Sequence, residues 1–128
     1  MKPGKLALLR FPRTNLGVGK LRPVLLIVRV PGPYPDWLVA MVSTHLGQAI
    51  PGFDEAITEE DPDFAASGLK RASVIRIGRL AVVEADLLLG EIGEISRERL
   101  NRIRRRIADW IMGIHDFESG VQGERSED

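Results

Sequence analysis

Short apolar runs, each bounded by glycine, proline or charged residues, follow one another along the first two thirds of the chain. They occupy residues 6–11, 24–28, 37–42, 73–77 and 80–83, and residues 55–58 are expected to add a short edge strand. Proline has no backbone donor, so Pro12 and the proline-rich turn at 31–36 must end strands. Five or six short strands separated by turns are typical of a small β-barrel and not of a parallel sheet.

The hydrophobic period changes to that of a helix near the end of the chain. Ser96 stands where an N-cap is expected, and a helix should follow it and end near His115. The apolar stripe of this helix consists of Leu100, Ile103, Ile107, Trp110, Ile111 and Ile114. Most other positions are arginines, namely Arg97, Arg99, Arg102, Arg104, Arg105 and Arg106. We predict that the stripe covers a sheet or a partner subunit and that the arginines form a solvated face. The alternative is that the arginines form a face that contacts RNA.

Length and composition fit one domain that needs no covalent or metal support. The 128 residues contain no cysteine, which excludes disulfide scaffolds, thiolate zinc sites and cysteine nucleophiles. No segment approaches the ~20 apolar residues of a membrane helix, and the N-terminal apolar run is too short for a signal peptide. We therefore expect a cytoplasmic protein with no membrane segment, a single domain at 1–115 and a disordered polar tail at 116–128.

Charges are distributed unevenly, although the net charge is zero. Residues 1–53 contain seven lysines and arginines and a single acid, Asp36, whereas acids are concentrated at 54–63 and after residue 115. The acidic segment 54–63 is expected to be a solvated loop. If both acidic segments point away from the rest, the remaining surface is basic enough to attract a polyanion. The charge distribution therefore permits RNA binding.

A permanent cation stands at the start of the second apolar run. In the run 19–23 (GKLRP), the proline favours extended backbone for Arg22, and a buried strand follows at once. Arginine is charged at any working pH and offers a planar fork of donors that suits phosphate oxygens. We predict that Arg22 binds a phosphate. The alternative is an arginine that only ends a strand and extends into water.

Several motifs lie in an order that resembles a known family. They are Phe11-Pro12, the run 19–23, Ser43-Thr44 at the end of the third strand, the segment 68–74 (GLKRASV) and the segment 92–96 (IGEIS). From about Lys5 to Trp110 their order and spacing resemble the MazF/PemK family of type II toxin–antitoxin endoribonucleases. The resemblance implies an SH3-like small barrel of the MazF/PemK/CcdB type. It also implies a homodimer that cleaves single-stranded RNA such as mRNA without metal or other cofactor, and that a cognate antitoxin neutralises.

The same resemblance assigns residues to the reaction. Arg22 matches the catalytic arginine, Ser43 matches the catalytic threonine or serine, and Thr44 is the neighbouring hydroxyl. In this reaction the ribose 2′-OH attacks the adjacent phosphate and leaves a 2′,3′-cyclic phosphate and a 5′-OH. One group must therefore stabilise phosphoryl charge and another must orient the nucleophile. The expected RNA-binding residues are Arg13, Lys20, His45, Lys70 and Arg71.

The sequence does not identify the general base. Some family members carry an acidic or histidine helper in the first loop, whereas this loop offers Arg13, Thr14 and Asn15. His45 could serve instead, because imidazole changes protonation near neutral pH. A lone histidine beside a turn is more often an exposed polar residue, and that alternative stands beside the first.

Two other classes of function are compatible with the sequence. The missing loop acid and the zero net charge would fit a non-catalytic toxin of the same fold that binds a protein, as a gyrase-poisoning toxin does. The strand pattern would also fit a small-barrel nucleic-acid-binding domain. A metalloenzyme is not expected, since the two histidines are far apart and the acids at 54–63 lack ligand spacing. The dimer is also favoured by Trp37, Trp110 and the helix stripe, which supply more apolar surface than one small barrel needs.

Overall fold

A six-stranded antiparallel sheet and a C-terminal helix make up the fold in the computed structural model, which describes residues 1–11 and 20–114. The strands are β1 (Lys5–Phe11), β2 (Lys20–Arg29), β3 (Asp36–Ser43), β4 (Glu55–Ile57), β5 (Ser73–Glu84) and β6 (Leu88–Glu94). The helices are α1 (Phe64–Ser67) and α2 (Arg97–Met112), and single 3₁₀ turns lie at Leu46–Gln48 and Ala85–Leu87. The predicted mainly β fold with a C-terminal helix is confirmed.

Two of the predicted segments cannot be compared with the structure, whereas the predicted helix cap can. The glycine-bearing first loop and the tail at 116–128 lie outside the described residues, so the domain boundary at 115 stays a prediction. The side chain of Ser96 caps α2 as predicted, because its Oγ accepts the N–H of Arg99 at 3.1 Å. No helix of the described ranges is long and apolar enough to cross a membrane.

The strands lie in the order β4-β5-β3-β2-β1-β6, so β4 and β6 are the two edges of the sheet. Over the described residues these edges do not pair with each other, and α1 contacts β6 instead. Two glycines allow this contact. A Cβ on Gly68 would lie 1.9 Å from the carbonyl oxygen of Ile92, and a Cβ on Gly93 would lie 2.2 Å from the carbonyl carbon of Ser67. The fold is thus the predicted small barrel, with one corner bridged by a short helix.

Two strand predictions need correction. Residues 73–77 and 80–83 form one strand, β5, whose register against β3 shifts between the pairs Ala40–Leu80 and Met41–Arg76. This irregularity takes up Gly78 and its neighbours, so the glycine interrupts the ladder without ending the strand. The sequence does not predict β6, because glycine and glutamate, which have low strand propensity, interrupt its apolar residues. The strand β6 forms because it pairs with β1, although its own residues have low strand propensity.

Apolar side chains cover both faces of the sheet. Leu25 and Ile27 belong to a cluster that includes the α2 residues Leu100, Ile103 and Ile107. On the other face, Val24 and Leu26 pack in a second cluster with Trp37. The strand β2 is therefore buried on both sides, which explains its unbroken apolar run. Since Trp37 is buried, the exposed apolar surface expected from it is absent, and only Trp110 of the two tryptophans is partly exposed.

The acidic segment and the helix arginines are solvated only in part: Arg97, Arg105, Glu59 and Glu60 are exposed as predicted, but other members of both sets are not. Asp54, Glu55 and Asp63 are buried, and each forms an ion pair with arginine. We call this set of residues the arginine–carboxylate network; it consists of Asp54, Glu55, Asp63, Arg76, Arg99, Arg102 and Arg106. It joins α2 to the chain between β3 and α1, and to β5.

Arg99 lies at the centre of the network. Its Nε and Nη2 donate to the two carboxylate oxygens of Asp63 at 2.8 and 3.0 Å, and its Nη1 donates to Glu55 at 2.9 Å. Burial alone would raise the pKa of Asp63, but hydrogen bonds from Arg99 and the Ser96 N–H, with the Arg99 charge, lower it to about 2. The same carboxylates raise the pKa of Arg99 against the opposing effect of burial. Both groups therefore stay charged inside the fold.

Candidate active site

Arg22 and Ser43 lie at the same end of two adjacent strands. β2 and β3 are antiparallel with Val24 opposite Met41, and continuing this register by two residues brings Arg22 opposite Ser43. Arg22 is close to the start of β2, and Ser43 is the last residue of β3. The sheet thus brings together two residues that are far apart in the sequence.

The guanidinium of Arg22 is available to a ligand. Its side chain is exposed and forms no ion pair or hydrogen bond with any residue of the described ranges. Pro23, which follows it, lacks a backbone donor and pairs in register with Leu8 of β1. The strand end therefore holds a cation whose donors can turn to an external anion.

The Ser43 hydroxyl is oriented by the residue that follows Thr44. The backbone N–H of His45 donates to Ser43 Oγ at 3.0 Å, and the same Oγ lies 3.4 Å from His45 Nδ1. Because Oγ already accepts one hydrogen bond, its own proton is free to be donated. Thr44 and His45 are exposed. His45 is therefore exposed and also contacts the Ser43 hydroxyl, and this contact favours the alternative in which His45 is part of the site.

An open groove of about 550 Å³ contains most of the predicted site, and we call it the main groove. The predicted residues that line it are Lys20, Arg22, Ser43, Thr44, Lys70 and Arg71. His45 joins them through Ser43, whereas Arg13 lies outside the described residues. Lys20, Lys70 and Arg71 are exposed and, within residues 1–11 and 20–114, have no carboxylate partner. The groove therefore carries several cations that a polyanion could neutralise.

The wall that bears Lys70 and Arg71 is fixed by the turn that follows α1. Gly68 has a φ of +76°, a conformation that favours glycine, and it lies against β6. Ser67 Oγ accepts the N–H of Leu69 at 3.1 Å, and Ser73 Oγ donates to the carbonyl oxygen of Arg71 at 2.9 Å. Side-chain hydrogen bonds thus hold this loop at both ends.

The main groove also has an apolar component that the sequence analysis does not identify. Its apolar lining consists of Leu8, Leu21, Pro23, Val42, Leu69 and Ile92. Leu21 and Leu69 adjoin cations in the motifs at 19–23 and 68–74, and that adjacency is the one signal in the sequence. Apolar surface beside free cations suits a ligand that has both flat rings and negative charge.

No cluster of three or more histidine, cysteine, aspartate or glutamate side chains suited to a metal ion occurs among residues 1–11 and 20–114.

Comparisons with known proteins point to one family. Residues 2–111 match a family model described as the PemK-like, MazF-like toxin of type II toxin–antitoxin systems. Among solved structures, the Mycobacterium tuberculosis toxin MazF-mt6 matches with a TM-score of 0.60 and 18% sequence identity. The match covers 82% of this chain and 93% of that chain. No curated protein matches the chain.

Proposed function

Because the chain belongs to the PemK-like, MazF-like family of type II toxins, we propose that it is an endoribonuclease that cleaves single-stranded RNA. Toxins of this family are generally endoribonucleases, and membership implies an antitoxin partner. The observation that supports the proposal is the placement of Arg22 opposite Ser43, in a groove with three further cations; none of these four side chains has an ion-pair partner among the described residues. A non-catalytic toxin would not need a hydroxyl beside that arginine.

The cation stabilises the reaction by its charge. In the proposed reaction the ribose 2′-oxygen bonds to phosphorus while the bond from phosphorus to the 5′-oxygen breaks, which leaves 2′,3′-cyclic phosphate and 5′-OH ends. Negative charge increases on the non-bridging oxygens in the transition state, where the fork of Arg22 can donate two hydrogen bonds. A guanidinium does not release its proton near neutral pH, so Arg22 is an electrostatic group and not an acid or base.

Ser43 and His45 provide a path for the nucleophile's proton. We propose that Ser43 Oγ accepts the proton of the 2′-OH while its own proton passes to His45 Nδ1, 3.4 Å away. The departing 5′-oxygen takes a proton from solvent. The backbone N–H of His45, which donates to the same Oγ, keeps the hydroxyl in place during the transfer. Lys20, Lys70 and Arg71, with Arg13 in the first loop, are proposed to hold the flanking phosphates.

The test is the chemistry of the RNA ends. We expect the pure protein to cut a long single-stranded RNA into fragments with 2′,3′-cyclic phosphate and 5′-OH termini. Ser43→Ala should slow cleavage by about 100-fold, in line with the loss of a group that transfers a proton in the transition state, and leave the melting temperature unchanged. RNA that stays whole after prolonged incubation with wild-type protein would overturn the proposal and favour a protein-binding toxin.

We also propose a homodimer, since family members typically dimerise. The end of α2 supports it, because Trp110, Ile111, Met112 and Ile114 are 42, 71, 70 and 70% exposed. Apolar side chains at such exposure are typical of an interaction surface. Sedimentation at micromolar concentration should give twice the 14.2 kDa monomer mass, and a single species of monomer mass would contradict the dimer.

A further inference from the structure

A second groove, of about 380 Å³, adjoins the main groove at Arg22 and Ser43. Both grooves are lined by Arg22, Val42 and Ser43, and the second one is completed by Met41, Gln48, Arg76 and Arg79. Arg22 therefore stands at the boundary between them. A nucleic-acid strand whose phosphate lies on Arg22 would have one neighbouring nucleotide in each groove.

Gln48 is held in the second groove by contacts that lead back to the core. Arg76 Nη1 donates to Gln48 Oε1 at 3.0 Å, and Arg76 is itself paired with the buried Asp54 at 3.3 Å. The two carboxylate oxygens of Asp54 accept the N–H groups of Ile50 and Ile77, each at 2.9 Å. The amide of Gln48 is therefore oriented by a buried carboxylate, although Gln48 is exposed.

This contact decides which atoms Gln48 can offer to a ligand. A guanidinium only donates, so the amide atom that faces Arg76 must be the carbonyl oxygen. The Nε2 group, with two donors, is left for the ligand. Glutamine recognises adenine in a bidentate way that uses both amide atoms, and Arg76 competes for one of them. A base that offers a carbonyl oxygen needs only the free donors.

We propose that the second groove is a nucleotide-binding subsite next to the cleaved phosphate, in which Gln48 selects a carbonyl-bearing base, uracil, guanine or cytosine, over adenine. Arg79 contacts the following phosphate, since it is exposed and lacks a partner among the described residues. This inference rests on the proposed ribonuclease function and assigns a specificity-determining residue to it.

The experiment uses short RNAs that share one cleavage site and differ only in the base on either side of the cut. We expect kcat/KM of the wild-type protein to disfavour adenine at one of these two positions. Gln48→Ala should reduce that discrimination by about tenfold at the same position and leave the other position unchanged. Gln48→Glu, which offers an acceptor, should shift the preference toward adenine and cytosine, whose exocyclic amines donate.

Asn101→Ala is the matched control, because it removes an exposed amide of α2 that lines neither groove. It should leave the base preference unchanged. Cleavage by Gln48→Ala with the wild-type base preference would overturn the subsite while leaving the ribonuclease function intact. Equal wild-type rates for all four bases at both positions would also overturn it. Absence of any wild-type cleavage would instead overturn the ribonuclease function, and the subsite with it.

Discussion

Arginine has opposite surroundings in the arginine–carboxylate network and in the main groove. In the network the guanidinium of Arg99 is buried among carboxylates, so its charge is cancelled inside the fold. In the main groove the guanidinium of Arg22 is exposed and has no carboxylate partner in the described part of the chain. The difference shows that a residue count does not give the charge that a ligand meets. A chain of zero net charge can present a basic groove because other arginines are occupied by acids.

The network side of this comparison is tested most strongly at Arg99. Arg99→Met should lower the free energy of unfolding by about 3–5 kcal/mol, because it leaves the buried carboxylate of Asp63 without its arginine and removes one of the three arginines that pair with Glu55. Arg105→Met is the matched control, since Arg105 is an exposed arginine of the same helix with no partner in the described ranges. It should change stability by less than about 0.5 kcal/mol. Urea unfolding measures both, and equal losses would contradict the distinction.

The groove side is tested at Arg22. Arg22→Ala should reduce kcat for RNA cleavage by about 100-fold to 1,000-fold, because it removes the donors that meet charge in the transition state. Its melting temperature should match that of the wild-type protein, as the side chain has no partner among the described residues. Arg105→Ala, which removes an exposed arginine outside both grooves, should leave kcat unchanged. An Arg22→Ala protein that cleaves at the wild-type rate would end the proposed role.

The strands and the helix cap could be predicted because their signals are local. The apolar run in β2 and the N-cap at Ser96 need only neighbouring residues to be understood. The short edge strand β4 follows from the same kind of local signal at residues 55–58. In contrast, β6 depends on pairing with β1 and on the close approach of α1 at Gly93, which no local pattern discloses.

Local sequence could not predict which arginines are buried against carboxylates and which are exposed. Arg99 and Arg105 stand in the same arginine-rich helix, yet one is 5% exposed and the other lies on the solvent side. The periodicity shows which helix face is apolar but not which acids of a distant segment lie against it. In the candidate site, resemblance supplied Arg22 and Ser43, whereas their juxtaposition follows from strand register. Nothing in the sequence indicates a functional role for Gln48; the role is inferred from its hydrogen bond with Arg76.

Acid should weaken the network before it affects the groove cations. The pKa of Asp63, about 2, is below its ordinary value of 3.8 because Arg99 and the Ser96 N–H outweigh burial. A lowered pKa gives stability that is present above pH 4 and is lost as the pH falls toward 2. The loss is roughly 2 kcal/mol for this one group. Urea unfolding midpoints measured between pH 5 and 2 should show this loss of stability in the wild-type protein. Asp63→Asn, which is already less stable at pH 7, should not show it. The exposed Glu60→Gln variant should keep the wild-type pH dependence.

The smallest expected effect concerns single cations at the groove rim. The probe is an RNA whose 2′-OH at the cleavage site is replaced by hydrogen, so that it binds without being cleaved. Lys70→Gln should weaken its binding. The dependence of log K on log salt should become less steep by about 0.7, the value for one phosphate contact on a single strand. Lys2→Gln is the control, because Lys2 is already paired with Glu94 at 3.4 Å and lines neither groove. Its removal should leave the slope unchanged. Equal changes in both variants would mean that the RNA responds to overall charge, and the contrast between occupied and available cations would then not govern binding.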